Sequence, residues 1–184
     1  MRSGIIALRD KGPIGTAASG GAQIWSVQPV EHVCRKQQRI CRSTYAAELH
    51  SALDLTGLAL RILGTLTEVL TGALGPIQLL DVHNSGAYPV ECERLIDARA
   101  MFDSVTAKTV KTPADKILLL HALALREHLD SGQVTRINWI DTRDMVTDAL
   151  NKGSIDRGAL RGFFERGIWK LNHERKHWRS GGSQ

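Results

Sequence analysis

Three acidic residues stand where predicted helices and strands begin or end, and carboxylates at such places can hold metal ions. Glu48 lies in the first turn of a long predicted helix, Asp97 ends a short apolar strand, and Asp148 lies in a later helix. Folds that combine sheets and helices form their sites at strand ends, so these three carboxylates are expected to meet. Carboxylates held together repel one another unless a divalent cation neutralises them, and oxygen ligands favour Mg²⁺ or Mn²⁺.

Two such ions about 4 Å apart would clamp the attacking and leaving oxygens of a phosphodiester. Asp141 and Asp144 precede Asp148 on roughly the same predicted face and extend the acidic set. A second interpretation is equally simple, because acids near helix starts commonly do no more than complement the helix dipole. Spacing alone leaves both interpretations open.

The helix that carries Glu48 is predicted to run from about Tyr45 to Leu70, with Ser43 or Thr44 as its N-cap. One face at helical spacing reads Glu48, Ala52, Leu55, Ala59, Ile62 and Leu66. A helix that buries this stripe carries the Glu48 carboxylate inward, where it must be ion-paired, protonated or bound to a metal. Arg99 is the candidate for an ion pair, which would favour a purely structural domain.

The other segments favour a mixed sheet with helices packed on it. Strands are predicted at 5–8, 23–27, 30–34, 77–81, 94–97 and 134–140, with Pro29 separating the second from the third. Helices are predicted at 98–105, from Thr112 to just before Gly132, from the turn at 141–144 to about 151, and at 155–166. The second of these has one apolar face: Leu118, Ala122, Leu125 and Leu129. A polar tail follows. These elements suggest three parts: a strand and Gly/Ala/Ser-rich link at 1–21, a central domain at 22–153, and a helix with basic tail at 154–184.

The net charge of +5 is concentrated in two places. Residues 152–184 hold eight basic and three acidic residues, and a second basic run precedes the long helix: Arg35, Lys36, Arg39 and Arg42. Such patches suit a polyanion such as nucleic acid, although a solvated face and a basic tail explain the charge equally well.

Three cysteines without metal spacing are typical of reduced thiols in an intracellular protein, cytoplasmic or nuclear, and no apolar run is long enough to span a membrane or act as a secretory signal. Cys34 and Cys41 have no His or Asp partner that the sequence can place. His121 is predicted to be a packed helix residue, and His173 and His177 to belong to a solvated tail. Trp169 and Trp178 are expected to anchor that tail.

Three segments resemble the ribonuclease H domain of copia-type retrotransposon polyproteins. RSTYAAEL at 42–49 is similar to the family's R-S-T-x-A-E segment, and LIDARAMFD at 95–103 to its apolar strand ending in D-[NA]-x-[SA]. INWIDTRDMVTDALNK at 137–152 resembles its W-[IV]-x-T-x-x-[QM]-x-A-D-x-L-T-K ending, with Thr147 and Asn151 departing from the pattern. The likeness covers residues 22–153, and the last segment is the most specific.

The resemblance implies an α/β fold, a ribonuclease H-like mixed sheet flanked by helices, with Glu48, Asp97 and Asp148 as ligands of two Mg²⁺ or Mn²⁺ ions. Asp81 rivals Asp97 as the strand acid. The implied parent activity is hydrolysis of RNA in an RNA–DNA hybrid.

The family's first strand carries a further ligating Asp, and no such motif precedes Glu48. The chain is therefore expected to lack that strand, to expose its neighbours' edges and to have weak or no activity. The alternative is a non-catalytic remnant of a polyprotein that binds nucleic acid or is purely structural.

Overall fold

The computed structural model describes residues 2–16, 22–35, 41, 43–110, 113, 115–152 and 156–180. The chain divides into two compact units, each made of two stretches. Residues 1–40 and 140–175 form the first unit, and residues 41–139 and 176–184 form the second. Within the described ranges the fold is mixed α/β, and the strands form two sheets, whereas the sequence predicted one.

The first unit is organised around one long strand. β3 (Gln23–Arg35) pairs antiparallel with β1 (Arg2–Arg9), β2 (Gly15–Thr16) and β6 (Ile168–Leu171). Two short strands interrupted by Pro29 were predicted there, which is wrong. The register shifts between Ile6 and Ala7, where Pro29 lies opposite Ala7, so the ladder accommodates a residue without an N–H at an irregularity.

The rest of the first unit consists of short elements and an aromatic core. A 3-10 turn (Thr142–Asp144), α5 (Asp148–Asn151) and α6 (Gly158–Arg166) precede β6. Trp25 and Trp169 lie opposite each other on β3 and β6, and both are buried. The ring of Phe163 meets that of Trp169 edge to face at 6.3 Å. The predicted polar tail is wrong here, because residues 168–171 are a core strand.

The second unit has a helical layer and a three-stranded sheet. Its helices are α1 (Thr44–Thr71), α2 (Pro76–Ser85), α3 (Arg99–Thr106) and α4 (Ile117–Asp130). Its strands are β4 (Glu93–Ile96), β5 (Arg136–Ile140) and β7 (Arg175–Trp178), in the order β4–β5–β7 with β4 parallel to β5. β1 and β4 are therefore edge strands of their sheets within the described residues.

The core of the second unit is formed where α1, α3 and α4 pack over β4 and β5. It contains Ala46, Leu49, Ala52, Ile96, Met101, Phe102, Val105, Leu118, Ala122, Leu125, Leu129, Val134 and Ile137. The predicted buried face of α4 is confirmed. The helix starts later than predicted, at Ile117, whose N–H is accepted by Asp115 at 3.1 Å. Thr112 lies outside the described residues.

The segment 77–81, predicted as a strand, belongs instead to helix α2. Pro76 occupies the first turn, and the Gly75 N–H donates to Gln78 Oε1 at 2.9 Å. These are helix-start signals, and they outweigh the short apolar run that follows. Among the described residues no single helix is long and apolar enough to cross a membrane. Only the pair α1 and α2, bent by 118°, passes that length and composition test together.

Candidate functional site

Glu48 is held by the well-formed N-terminus of α1. Ser43 is the N-cap, as predicted, and its Oγ accepts the Ala46 N–H at 3.1 Å. The buried face of the helix contains Leu49 and Ala52, and Glu48 lies at its edge, half-buried. The predicted stripe is thus only partly right. Ala52 and Leu55 are buried, but farther along the helix the buried face is rotated by one residue, to Leu60, Leu63 and Thr67.

Asp97 directly follows β4, and its backbone carbonyl accepts a hydrogen bond. Ile96 lies opposite Trp139 in the parallel β4–β5 ladder, and Trp139 Nε1 donates to the carbonyl oxygen of Asp97 at 3.0 Å. The Arg99 guanidinium lies over the Trp139 ring, 5.0 Å from its centroid. The strand and the helix after Asp97 are confirmed, so this acid stands at a strand end as the sequence predicted.

The electrostatics link these two acids within the second unit. Burial raises the pKa of the Glu48 carboxyl above its ordinary value, and the negative charge of Asp97 raises it further. Arg99, the predicted alternative partner, binds Asp103 instead at 2.9 Å. In the described part of the chain Glu48 makes no ion pair. The charge of Asp97, at the end of β4, thus acts on the carboxyl group of Glu48, near the start of α1.

Asp148 belongs to the first unit and is the first residue of α5. Its Oδ2 binds Lys152 Nζ at 2.6 Å, an ion pair one helical turn apart. Asp81, the rival strand acid, is an exposed residue inside α2 and ends no strand. Glu48, Asp81 and Asp97 all belong to the second unit, and of these the charge of Asp97 acts on Glu48.

Asp141 and Asp144 do not share the predicted ligand-like face. The Arg143 side chain and backbone donate to Asp141, and these bonds hold the pKa of that carboxyl well below its usual range. Asp144 is buried and accepts hydrogen bonds from the Asn172 and His173 backbone and from the His173 ring. The prediction that His173 lies in a solvated tail is therefore wrong.

Most of the predicted nucleic-acid contacts lie outside the described residues. Arg35 is exposed at the end of β3, whereas Lys36, Arg39 and Arg42 lie outside the described residues. The anchoring role predicted for two tryptophans is confirmed. Trp169 is buried, and Trp178 packs against the second unit's core with Arg126 Cζ 4.4 Å from its ring centroid.

One cluster was missed by the sequence analysis. Cys41 Sγ lies 3.6 Å from His50 Nδ1, and the His50 and His121 rings meet edge to face at 4.7 Å. Cys41 and His50 flank the start of α1, but His121 comes from α4, far along the chain. Only the packing of α1 against α4 brings them together, so no sequence spacing could reveal it.

No three His, Cys, Asp or Glu side chains of the described residues are already arranged to hold a metal ion. Comparison with known proteins adds no relative: no family model, no curated protein and no solved structure matches the chain. The likeness to copia-type ribonuclease H domains therefore stays a prediction carried by the three segments that suggested it.

Proposed function

We propose that this chain is a ribonuclease H-like domain derived from a copia-type retrotransposon polyprotein. Its parent activity is the metal-dependent hydrolysis of RNA in an RNA–DNA hybrid, and that activity is weak or lost in this chain. The single observation that carries the proposal is the pair Glu48 and Asp97. A helix start and the end of a parallel strand bring these two carboxyl groups close enough for the charge of Asp97 to raise the pKa of Glu48.

The donor chemistry fits the implied Mg²⁺ or Mn²⁺. A carboxyl group whose ionisation is opposed by burial and by a neighbouring carboxylate gains from a divalent cation, because the cation favours its charged form. Hard oxygen donors are also the ligands that these ions prefer. Glu48 and Asp97 would hold the ion, which would polarise a phosphodiester and activate water. Asp148 is assigned as a third ligand only by the resemblance.

The surroundings of the two acids support a positioning role. Trp139 Nε1 donates to the carbonyl oxygen of Asp97, and the Arg99 guanidinium pairs with Asp103. The backbone at both acids is fixed by regular elements, which is the arrangement that a metal site requires.

A second candidate function is a non-catalytic remnant that binds nucleic acid or serves as a structural part of a polyprotein. The observation in its favour is the 2.6 Å ion pair between Asp148 and Lys152. A carboxylate already neutralised by an ammonium group is a poorer metal ligand. A two-acid site would bind ions weakly, and a missing ligand costs orders of magnitude in rate.

The first experiment measures Mn²⁺ binding by paramagnetic broadening of amide resonances in the purified chain. We expect broadening centred on Glu48 and Asp97, and its loss in Glu48→Gln and in Asp97→Asn. Asp81→Asn, an exposed helical acid of the same unit, is the matched control and should leave binding intact. Broadening that is indifferent to both site variants would refute the metal site.

The second experiment measures cleavage of an RNA–DNA hybrid with Mg²⁺ or Mn²⁺. We expect little or no cleavage, and residual activity should disappear in Glu48→Gln. Robust cleavage that Glu48→Gln abolishes would overturn the statement that activity is weak or lost. Binding of the uncleaved hybrid, measured against salt concentration, tests the second candidate, since phosphate contacts give a steep loss of affinity with salt.

A further inference from the structure

From the cluster at the start of α1 we infer that Cys41 is a modification site, at which peroxides oxidise the thiol to a sulfenic acid with His50 as the acid–base group. Both residues belong to the second unit. The reaction uses neither Glu48 nor Asp97, so it is independent of the proposed metal site and of the proposed hydrolysis.

The thiol of Cys41 and the imidazole of His50 share a hydrogen bond. Cys41 Sγ lies 3.6 Å from His50 Nδ1. In the tautomer that carries its proton on Nε2, the imidazole accepts this bond at Nδ1 and can take the thiol proton. A nucleophile and a base therefore stand within hydrogen-bond reach of each other, which is the arrangement that activates a thiol.

Packing holds the His50 ring in this orientation. The ring meets that of His121 edge to face, with the two centroids 4.7 Å apart. The His121 ring is held in turn by its Nδ1, which lies 3.1 Å from the carbonyl oxygen of Ile117. Leu49 and Ala122, the chain neighbours of the two histidines, are 0% exposed. The base is thus oriented by a third group, as in other sites with an activated nucleophile.

The other two cysteines have different surroundings. Cys34 Sγ donates to the carbonyl oxygen of Leu150 at 3.6 Å, and a carbonyl accepts a hydrogen bond without taking the proton. Cys92 is largely buried, and burial raises the pKa of its thiol to about 11. Cys41 is only partly buried against the core of the second unit, so a molecule as small as hydrogen peroxide can reach it. Cys41 therefore combines access for a small oxidant with a hydrogen-bonded base.

The oxidation balances with a peroxide as the oxidant. As His50 Nδ1 takes the thiol proton, Cys41 Sγ attacks one peroxide oxygen and the O–O bond breaks. The leaving hydroxide takes the proton from the imidazolium and departs as water. The sulfur loses two electrons to the peroxide and becomes a sulfenic acid. His50 thus serves first as the base and then as the acid.

The test treats the full chain with hydrogen peroxide, traps sulfenic acid with dimedone and reads each cysteine by peptide mass spectrometry. General acid–base groups contribute about 10²–10⁴-fold, so Cys41 should react at least about 10-fold faster than Cys34 and Cys92. His50→Asn keeps a hydrogen-bond acceptor near the thiol but cannot take its proton, and should slow Cys41 at least about 10-fold. His177→Asn, at an exposed histidine of the same unit, is the matched control and should leave the rate unchanged.

Added imidazole separates proton transfer from a structural role of His50. His50→Ala opens space beside the thiol, so imidazole in solution should restore part of the Cys41 rate in that variant but not in His50→Asn. Circular dichroism checks that each variant folds, and His50→Ala with imidazole remains decisive should His50→Asn fail to fold. Three results would overturn the inference: Cys41 reacting no faster than Cys34, an unchanged rate in folded His50→Asn, or no rescue of His50→Ala by imidazole.

Discussion

The His173 ring donates through Nδ1 to Oδ1 of Asp144 at 3.0 Å, and the side chain of Asp144 is 1% exposed. Its other oxygen accepts the backbone N–H groups of Asn172 and His173 at 3.0 and 2.9 Å. One buried carboxylate thus organises the turn that follows β6. Its bonds to four donors, the fourth being the Asn172 side-chain amide, offset the cost of removing the charge from water.

Replacing Asp144 by alanine should lower the free energy of unfolding by about 2–4 kcal/mol, because the buried donors lose their acceptor. Urea denaturation followed by tryptophan fluorescence measures this, since Trp169 Nε1 also donates to the Asp144 backbone. Glu174→Ala, an exposed neighbour in the same turn, is the control and should change stability by less than about 0.5 kcal/mol. Equal effects of the two variants would contradict the anchoring role.

The pKa of Glu48 should fall toward its ordinary value in Asp97→Asn yet stay raised, because burial is the larger of its two causes. Carboxyl ¹³C titration by NMR measures it. Asp81→Asn should leave it unchanged. A pKa that returns fully to its ordinary value in Asp97→Asn would show that the neighbouring charge, rather than burial, dominates.

The same shift predicts a pH dependence of stability. The folded chain binds the Glu48 proton more tightly than the unfolded chain, so this carboxyl makes the free energy of unfolding fall as pH rises above 4.5, its ordinary pKa, until the folded-state pKa is passed. Glu48→Gln should therefore gain stability relative to the unmodified chain between pH 4 and 7, measured without divalent ions. A difference that is constant across this range would contradict the prediction.

Gly86 should tolerate no side chain. It has φ +65°, and a Cβ there would lie 2.6 Å from the backbone carbon of Gly132 and from the carbonyl oxygen of Ser131. Gly86→Ala should cost about 2–4 kcal/mol in thermal or urea unfolding through the left-handed backbone and the clash. Gly57→Ala is the matched control inside α1, where nothing lies within 4 Å, and should stabilise by about 0.5–1 kcal/mol.

Cys92 should resist alkylation in the folded chain. Burial raises the pKa of its thiol to about 11. Compared with the ordinary value of 9.0, this reduces the thiolate fraction at neutral pH roughly 100-fold. Iodoacetamide labelling read by peptide mass spectrometry should show fast reaction at the exposed Cys34 and slow reaction at Cys92. In urea the two rates should converge, and a Cys92 rate that is equal in the folded and unfolded chain would contradict the burial effect.

Sequence patterns predicted those elements whose signals are local. The buried face of α4, the N-cap Ser43, and the strand and helix around Asp97 all follow from side-chain spacing and capping chemistry. The strand prediction at 77–81 was wrong because its apolar residues suit a strand and a short helix equally. Pro76 favours the start of a helix there. β3 was divided at Pro29 because a single sequence does not show where a ladder changes register.

The remaining errors concern contacts between distant segments. β7 reads RKHW, a charged stretch that is exposed because it lies at the edge of its sheet beside β5. The side chain of Asp144 acts on residues 172–173, and His121 reaches His50 only when two helices pack. Residue types identified Glu48 and Asp97 as a pair of interest. The ion pair of Asp148 with Lys152 is a local i, i+4 contact that the sequence analysis did not consider.

Each unit consists of two separate stretches of chain, and this affects the order in which its strands can pair during translation. β7 reaches its place beside β5 only after residues 140–175, which belong to the other unit, have been translated. Until then the nascent second unit exposes a strand edge of β5, which is open to wrong pairing with other nascent chains. The sheet of the second unit can therefore be completed only after the second stretch of the first unit has been translated.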